Sequence, residues 1–324
     1  MTVTQQTDAL IVGAGPIGLF TVFQLGLQGI RADVVDVLDH AGGQCVELYA
    51  DKPIYDIPAL AVCSGQELTD RLLQQISPFA PRWHWGQQVS SVQRQADGRW
   101  LVQTTRGHTE LQRFLCRSLF IAAGVGAFVP KPLPIPELAT FEGRQLFYRL
   151  AAAKRLAGHR VVVVGGDHDA VTAALSLARS GAQQAASVTL VHRRDVLQAD
   201  EAALTELAQL RQSGRIQFVA GQITGFEHSG ADPNARLTRL LIDTPEGTTL
   251  SLELDDVLVC LGISPKLGPI SDWGLAMQRK QLLVDAATCA TSEAGIYAVG
   301  DIVHYPGKKK LIVSGFHEAT QAAF

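Results

Sequence analysis

Two strand–glycine turn–helix units joined by a proline-rich crossover predict an α/β fold. It consists of two nested Rossmann-like dinucleotide-binding domains, with β-hairpin and three-stranded sheet additions. Three observations carry this. An apolar run, Ala9 to Val12, leads into Gly13-Ala14-Gly15-Pro16-Ile17-Gly18, a G-x-G-x-x-G. A second run, Arg160 to Val164, leads into Gly165-Gly166-Asp167-His168-Asp169-Ala170. Between them, Ala127 to Glu137 holds four prolines, which excludes a central strand or a helix interior and marks a crossover. The first domain is expected over 1–126 and 263–324, the inserted one over 127–262.

In the first unit each residue of the turn has a physical task. Gly13 permits the tight exit from the strand. Gly15 lacks a side chain, so a pyrophosphate can approach the backbone. Gly18 lets the helix pack against the strand. The apolar pattern Leu19, Phe20, Phe23, Leu25, Leu27 continues the helix to Gly29. Pro16 and Ile17 open the helix, whose N-terminus offers unpaired N–H groups and the positive dipole end to phosphates. Ala32 to Val37 is the second strand. It carries Asp36, eighteen residues past Gly18, where a carboxylate can accept ribose hydroxyls.

Leu48 to Leu60 reads as a loop whose Tyr49 and Tyr55 either stack on a flat ring or simply pack. Ser64-Gly65-Gln66-Glu67 is a capping box that starts a helix ending at Pro78. Val89–Arg94 and Trp100–Thr105 alternate as two strands around an Asp97-Gly98 turn. Leu119 to Ala123 is a buried strand closed by Gly124.

The second unit repeats the scheme. Val171 to Arg179 is helical, with Gly181 as its cap, and Ser187 to Val191 is the next strand. It ends in His192-Arg193-Arg194-Asp195. An acid there would suit a free ribose hydroxyl. Two arginines suit a 2′-phosphate, although paired arginines also occur on solvated faces. Asp200 to Arg211 is helical. Short strand-like runs follow at Ile216–Val219, Leu237–Ile242, Thr248–Leu252 and Val257–Cys260, punctuated at Ser229–Asn234 and Pro245–Gly247. Leu261 to Pro265 is the return crossover. Gly295 to Asp301 is a strand ending in Gly300-Asp301, at the strand edge where ligands of open α/β sheets collect. Ser314 to Phe324 begins a helical pattern within which the sequence stops.

Composition excludes other classes. A 47% hydrophobic content rules out disorder, and a net charge of −3 argues against a dedicated nucleic-acid binder. No apolar run approaches the length of a membrane span. Met1 to Asp8 is polar and carries no signal-peptide pattern. Five scattered cysteines without C-x-x-C or metal spacing fit reduced thiols in a cytoplasm.

Two nested dinucleotide folds suggest FAD plus a nicotinamide cofactor. The chain resembles the thioredoxin reductase-like pyridine nucleotide flavoproteins over almost its whole length, and most closely the ferredoxin–NADP⁺ reductases among them. The carrying stretches are Gly13–Gly18, Gly42-Gly43-Gln44, Ile121–Phe128, Gly268–Leu275 and Gly295–Asp301, extended by Tyr305–Lys308 and Gly315-Phe316. The resemblance implies Asp36 as FAD ribose ligand and Gln44 and Tyr49 as flavin-side contacts. It implies Val89 as a backbone position beside the adenine and Phe128 as a contact in the crossover. Asp301 would hold the ribityl–pyrophosphate region, and Gly43, Ala123, Gly124 and Gly300 would lie along the cofactor. It further implies a homodimer that passes a hydride from NADPH to FAD and single electrons to ferredoxin or flavodoxin, with no dedicated acid–base pair.

Thioredoxin reductases need a C-x-x-C to relay electrons, and this sequence has none. Cys116 and Cys260 lie in apolar runs as core residues, whereas Cys45 follows the Gly-Gly-Gln turn and is the one candidate for a disulfide-reducing role. Lys308, Lys309 and Lys310 read either as a surface that steers an acidic partner or as a solvated loop. Asp167 departs from the family pattern, since it replaces the glycine that lets a pyrophosphate approach. Asp167 is expected to oppose nicotinamide binding, with His168 as a compensating cation. That opposition keeps a further reading open, an FAD-binding redox sensor with weak turnover.

Overall fold

The computed structural model describes residues 4–50, 52–107, 109–148, 156–179, 181, 184–230 and 235–324. It divides into two compact units, Met1–Ala127 with Pro265–Phe324, and Phe128–Ser264.

The first unit is built on a strand–helix–strand start: β1 (Thr4–Val12), α1 (Pro16–Leu27) and β2 (Ala32–Val35). β1 pairs in parallel with β2, Ala9 opposite Ala32 and Val12 opposite Val35. On its other side it pairs in parallel with Thr109–Ile121. That strand then borders Trp100–Arg106 and Gln88–Arg94 in an antiparallel meander, and its last residues also pair in parallel with Ile296–Ala298. Arg82–His84 lines the far side of β2.

Two strands are longer than the sequence suggests. Apolar residues mark only Ala9–Val12, yet β1 starts at Thr4, because Thr4–Thr7 pair through the backbone with Arg113–Cys116. Ladder hydrogen bonds need no apolar side chains. Likewise only Leu119–Ile121 of the 13-residue strand Thr109–Ile121 lies in the anticipated run, its first half being the third strand of the meander. Helix Gly65–Ile76 has its reciprocal cap: Glu67 N–H donates to Ser64 Oγ (3.1 Å), and Ser64 N–H donates to Glu67 Oε2 (2.8 Å). It and helix Ile312–Ala323 both pack on α1.

One charged cluster sits inside this sheet. Asp33 on β2 is 0% exposed and accepts from Gln5 Nε2 (2.7 Å) and Arg82 Nη2 (2.6 Å), with His84 Nε2 at 2.7 Å. Burial pushes its carboxyl up, but the hydrogen bonds of His84, Thr7 and Arg82 outweigh that and hold it below its ordinary value. A depressed carboxylate contributes stability that is full above the unfolded value of about 3.9 and is lost as pH falls through the folded one. Asp33→Asn is therefore expected to cost about 2 kcal/mol at neutral pH, since Arg82 is half-exposed and stays solvated. Its acid-unfolding curve is expected to be flatter than the parent's below pH ~4. Urea titrations at pH 7 and pH 3 check both; an equal loss at the two values contradicts the assignment.

The second unit has a five-stranded parallel sheet in the order Leu146–Phe147, Asp256–Val259, Arg160–Val164, Ser187–His192 and Ile216–Ala220. Helices His168–Ala178 and Glu201–Gln212 follow its second and third strands in sequence. An antiparallel sheet of Gln222–Ser229, Arg236–Asp243 and Thr249–Glu253 completes it. Gln222–Ser229 escaped the sequence reading because it is mostly polar and broken by two register shifts, at Ile223/Gly225 and Glu227/His228. The turn expected at Ser229–Asn234 lies partly outside the described residues. Among the described residues, no helix is long and apolar enough to cross a membrane.

Candidate dinucleotide sites

In the first unit, two glycines of the turn are dictated by packing. A Cβ on Gly13 (φ +106°) would lie 2.5 Å from the Ala122 carbonyl oxygen, and one on Gly18 would lie 1.9 Å from that of Gly13. Gly15 is different. Its backbone is extended (φ −71°, ψ 178°), which any residue adopts, and its Cβ would meet only Gly43 Cα at 4.0 Å. Neither strain nor packing accounts for glycine there, and its side-chain space is open. The start of α1 has no side-chain cap; Pro16 carries no N–H, so the donors left without a cap there are the N–H groups of Ile17 and Gly18.

The Gly42-Gly43 turn closes on this loop. Gly42 N–H donates to the Ala14 carbonyl (2.9 Å), and Gly43 (φ +49°) starts the short helix Gln44–Tyr49. Asp36 follows β2 and is 8% exposed. Its Oδ2 accepts from Ala14 N–H (2.6 Å) and its Oδ1 from Leu38 N–H (2.8 Å). Burial pushes its carboxyl up, while the two amides oppose the rise. Each oxygen keeps a lone pair for a ribose hydroxyl. Gln87 N–H donates to the Asp36 carbonyl (2.9 Å), which ties the strand bearing buried Val89 to the same corner.

Ala123 and Gly124 (φ +58°, open space at its Cβ) follow the end of strand Thr109–Ile121. Gly300 (φ +89°) and Asp301 begin a short 3-10 turn after Ile296–Ala298. Gly300 would bring a Cβ to 3.4 Å from Ile17, and Gly315 one to 2.5 Å from Ile17, so glycine lets this turn and helix Ile312–Ala323 close on the start of α1. The sequence-selected residues Gly13, Gly15, Pro16, Ile17, Gly18, Asp36, Gly43, Gln44, Ala123, Gly124, Gly300 and Asp301 thus lie in turns and helix starts that follow parallel strands. The side chains of Tyr49 and Phe128 lie outside the described residues, and Tyr55 is 69% exposed.

Two expectations need correction. Lys308 is not a surface cation. Its side chain is 4% exposed and pairs with Glu318, leaving only Lys309 and Lys310 of the run in solvent. Glu318 itself, 1% exposed, was missed, because one acid in an apolar helical pattern reads as a solvent-facing position. Its spacing of three from Gly315, on one helix face, was the available signal. Cys45 is a poor nucleophile: burial, with Asp301 and Cys63 nearby, pushes its thiol up to about 11. Burial pushes Cys116 and Cys260 to about 12.

The second unit repeats the first turn with one change. Gly165 (φ +152°) would bring a Cβ to 2.1 Å from the Cys260 carbonyl oxygen, and Gly166 one to 2.6 Å from the His192 ring. Asp167 takes the extended conformation of Gly15 (φ −93°, ψ −178°), but its Oδ1 accepts from Ala170 N–H at 3.1 Å. This helix start is already capped by an anion of the chain. His168 does not face that anion. Its Nδ1 lies 3.6 Å from Asp200 Oδ2 and its Nε2 3.4 Å from Thr172 Oγ1. Burial, with Arg193 and Arg194 beside it, pushes the His192 imidazole down, so it stays neutral near pH 7. Arg193 and Arg194 are exposed, and no described carboxylate pairs with them. The adjacent Asp195 is taken by Arg211 in a two-pronged pair at 2.9 and 2.8 Å. Among the described residues no His, Cys, Asp and Glu cluster could hold a metal.

Two Rossmann-like units, each with a glycine turn opening a helix beneath a parallel strand edge, define a two-dinucleotide oxidoreductase fold. The chain belongs to the pyridine nucleotide-disulphide oxidoreductase family, which matches residues 7–323. It is 56% identical over 323 residues to a ferredoxin–NADP reductase of Acidovorax sp., covering 99% of this chain and 88% of that one. It is 52% identical over 319 residues to one of Albidiferax ferrireducens, covering 98% and 88%. In fold it is similar to the thioredoxin reductase of T. acidophilum, with a TM-score of 0.59 at 21% identity over 98% of this chain and 97% of that one. A Bacillus cereus bacillithiol disulfide reductase is similar in fold too, at 0.59 and 18% identity over 98% of each chain. The family resemblance expected from the sequence therefore holds.

Proposed function

We propose that this chain is a flavoenzyme that moves electrons between NADPH and a one-electron carrier, ferredoxin or flavodoxin, through FAD in the first unit. The observation that carries the FAD assignment is Gly15, which stands open before an uncapped helix start. The names of the relatives support the carrier, and the lack of any C-x-x-C argues against a dithiol relay. Bound FAD supplies the redox chemistry, accepting a hydride and releasing single electrons. The chain's own residues bind and orient. Asp36 takes the ribose of FAD, the start of α1 and the glycine turn take its pyrophosphate, and Asp301 takes the ribityl region. In the second unit Gly165 and Gly166 open the NADPH site, His192 flanks it, and Arg193 and Arg194 hold the 2′-phosphate. No side chain is assigned as an acid–base catalyst. The same reading makes the protein a cytoplasmic homodimer.

The protein is expected to purify yellow with about one FAD per chain. NADPH is expected to bleach the flavin band, and added ferredoxin to restore it. A colourless protein that no FAD reconstitutes overturns the reading. Gly15→Val is expected to lower FAD retention by at least about tenfold, because its branched side chain fills the phosphate approach. The backbone there suits any residue, so its apoprotein is expected to melt like the parent's. Flavin absorbance per chain and apoprotein melting check this together; full FAD content in the variant contradicts it.

A further inference from the structure

Glu318 is buried, yet the function proposed above gives it no task. Its Oε2 accepts the Gly300 N–H (2.7 Å), and its Oε1 accepts both the Tyr305 hydroxyl (2.7 Å) and the Lys308 ammonium. The side chains of Lys308 and Glu318 are 4% and 2% exposed. Taking an ion pair out of water is costly, and an apolar pair of the same volume is often as stable, so stability alone does not explain it. What an apolar pair cannot do is hold a backbone amide.

Gly300 is the residue whose amide is held. Its left-handed turn (φ +89°) aims the N–H at Glu318, and its Cα side rests on Ile17 at the start of α1. The next carbonyl, that of Asp301, accepts from Gln281 Nε2 at 3.1 Å. The Gly300–Asp301 dipeptide is thus fixed at its N–H by Glu318 and at its C=O by Gln281. Lys308 and Tyr305 close their own turn, Lys308 N–H to the Tyr305 carbonyl at 3.1 Å. Glu318 therefore joins this turn, the Gly300 turn and its own helix at one carboxylate.

We propose that Glu318 and Lys308 form a positioning pair that sets the Gly300–Asp301 turn for the dinucleotide of the first unit, Lys308 cancelling the buried negative charge beside it. This rests on the FAD reading above. Neither residue touches reacting atoms in this proposal; both act through Gly300 and Asp301.

The test uses full-length protein, with FAD titrated into apoprotein, the midpoint potential of bound FAD, and apoprotein melting as readouts. Glu318→Gln keeps the shape but only one accepting oxygen. It is expected to raise the FAD dissociation constant at least about tenfold, the loss of one charge-supported hydrogen bond. Lys308→Met leaves the carboxylate without its counter-ion and is expected to move the potential of bound FAD more negative, because a lone anion opposes added electrons. Lys308→Arg is expected to restore it. Should either single variant fail to fold, the double variant Glu318→Gln/Lys308→Met carries no lone buried charge and keeps the weakened FAD binding with a potential near the parent's. A merely structural pair gives the opposite pattern: apoprotein melting falls, while FAD affinity and potential of the folded fraction match the parent. That pattern in Glu318→Gln or the double variant overturns the proposal. A parent that binds no FAD overturns the FAD reading itself.

Discussion

Asp167→Gly is expected to tighten NADPH binding by roughly 5- to 30-fold, an effect of about 1–2 kcal/mol. Two physical terms act in the same direction. Two unit charges ~5 Å apart at an effective dielectric of ~20 repel by ~3 kcal/mol, which solvent around a half-buried side chain reduces. The carboxylate also occupies the Ala170 N–H at the helix start, where a pyrophosphate would bind. Against this stands the lost cap, and a glycine in place of an N-cap aspartate costs only a few tenths of a kcal/mol. Asp167→Asn separates the terms, because it keeps a capping oxygen and removes the charge. It is expected to recover most of the gain if repulsion dominates, and little if occupation of the helix start does. FAD content is expected to stay constant, since that site lies in the other unit. His168→Ala is expected to change little, because His168 faces Asp200 and not Asp167. NADP⁺ titrations of the variants check this, and an unchanged dissociation constant in Asp167→Gly shows that the carboxylate swings away from the phosphates at no cost.

Replacing both Arg193 and Arg194 with alanine is expected to weaken NADPH binding about a hundredfold and leave NADH nearly unaffected. Each charge-assisted contact to a 2′-phosphate is worth roughly 1.5–3 kcal/mol, and exposed side chains belong at the low end. The structure strengthens this beyond what two adjacent arginines imply. Asp195, the nearest acid in sequence, would neutralise them if it were free. It is held instead by Arg211, whose guanidinium also lies 4.5 Å from the Phe218 ring centre. Both arginines therefore stay available for a dianion. The preference for NADPH is expected to shrink as salt rises, which a buried contact would not show. Steady-state kinetics with both nucleotides check it; a parent protein that uses NADH and NADPH equally contradicts the assignment.

Much of this fold could be read from local sequence because its signals are local. The strand–turn–helix starts need glycine at Gly13, Gly18 and Gly165 for reasons of backbone and close packing, and such needs leave a trace in the sequence. The capping box at Ser64 and Glu67 is local in the same sense, as is the hairpin turn at Asp97-Gly98. Thr109–Ser118 was hidden because its buried Phe114 and Cys116 sit among polar residues, and Thr4–Asp8, which carries no apolar side chain, because a partner's backbone determines it. The polar strand Gln222–Ser229 was hidden for that reason as well.

The sequence by itself determined two Rossmann-like units, their glycine turns, and residue types suited to a ribose, a pyrophosphate and a 2′-phosphate. The type of each residue and the turn or helix start it favours locally are written in the sequence, so they can be read one position at a time. Only the tertiary structure decided where each charge is spent. It turned Lys308 inward to a buried Glu318, took Asp195 away from the arginines, put Asp167 on its own helix start and left the start of α1 bare. The pairings of Lys308, Asp195 and Asp167 are each a choice among partners. Desolvation, which depends on the whole surrounding fold, decides which partner a charge takes.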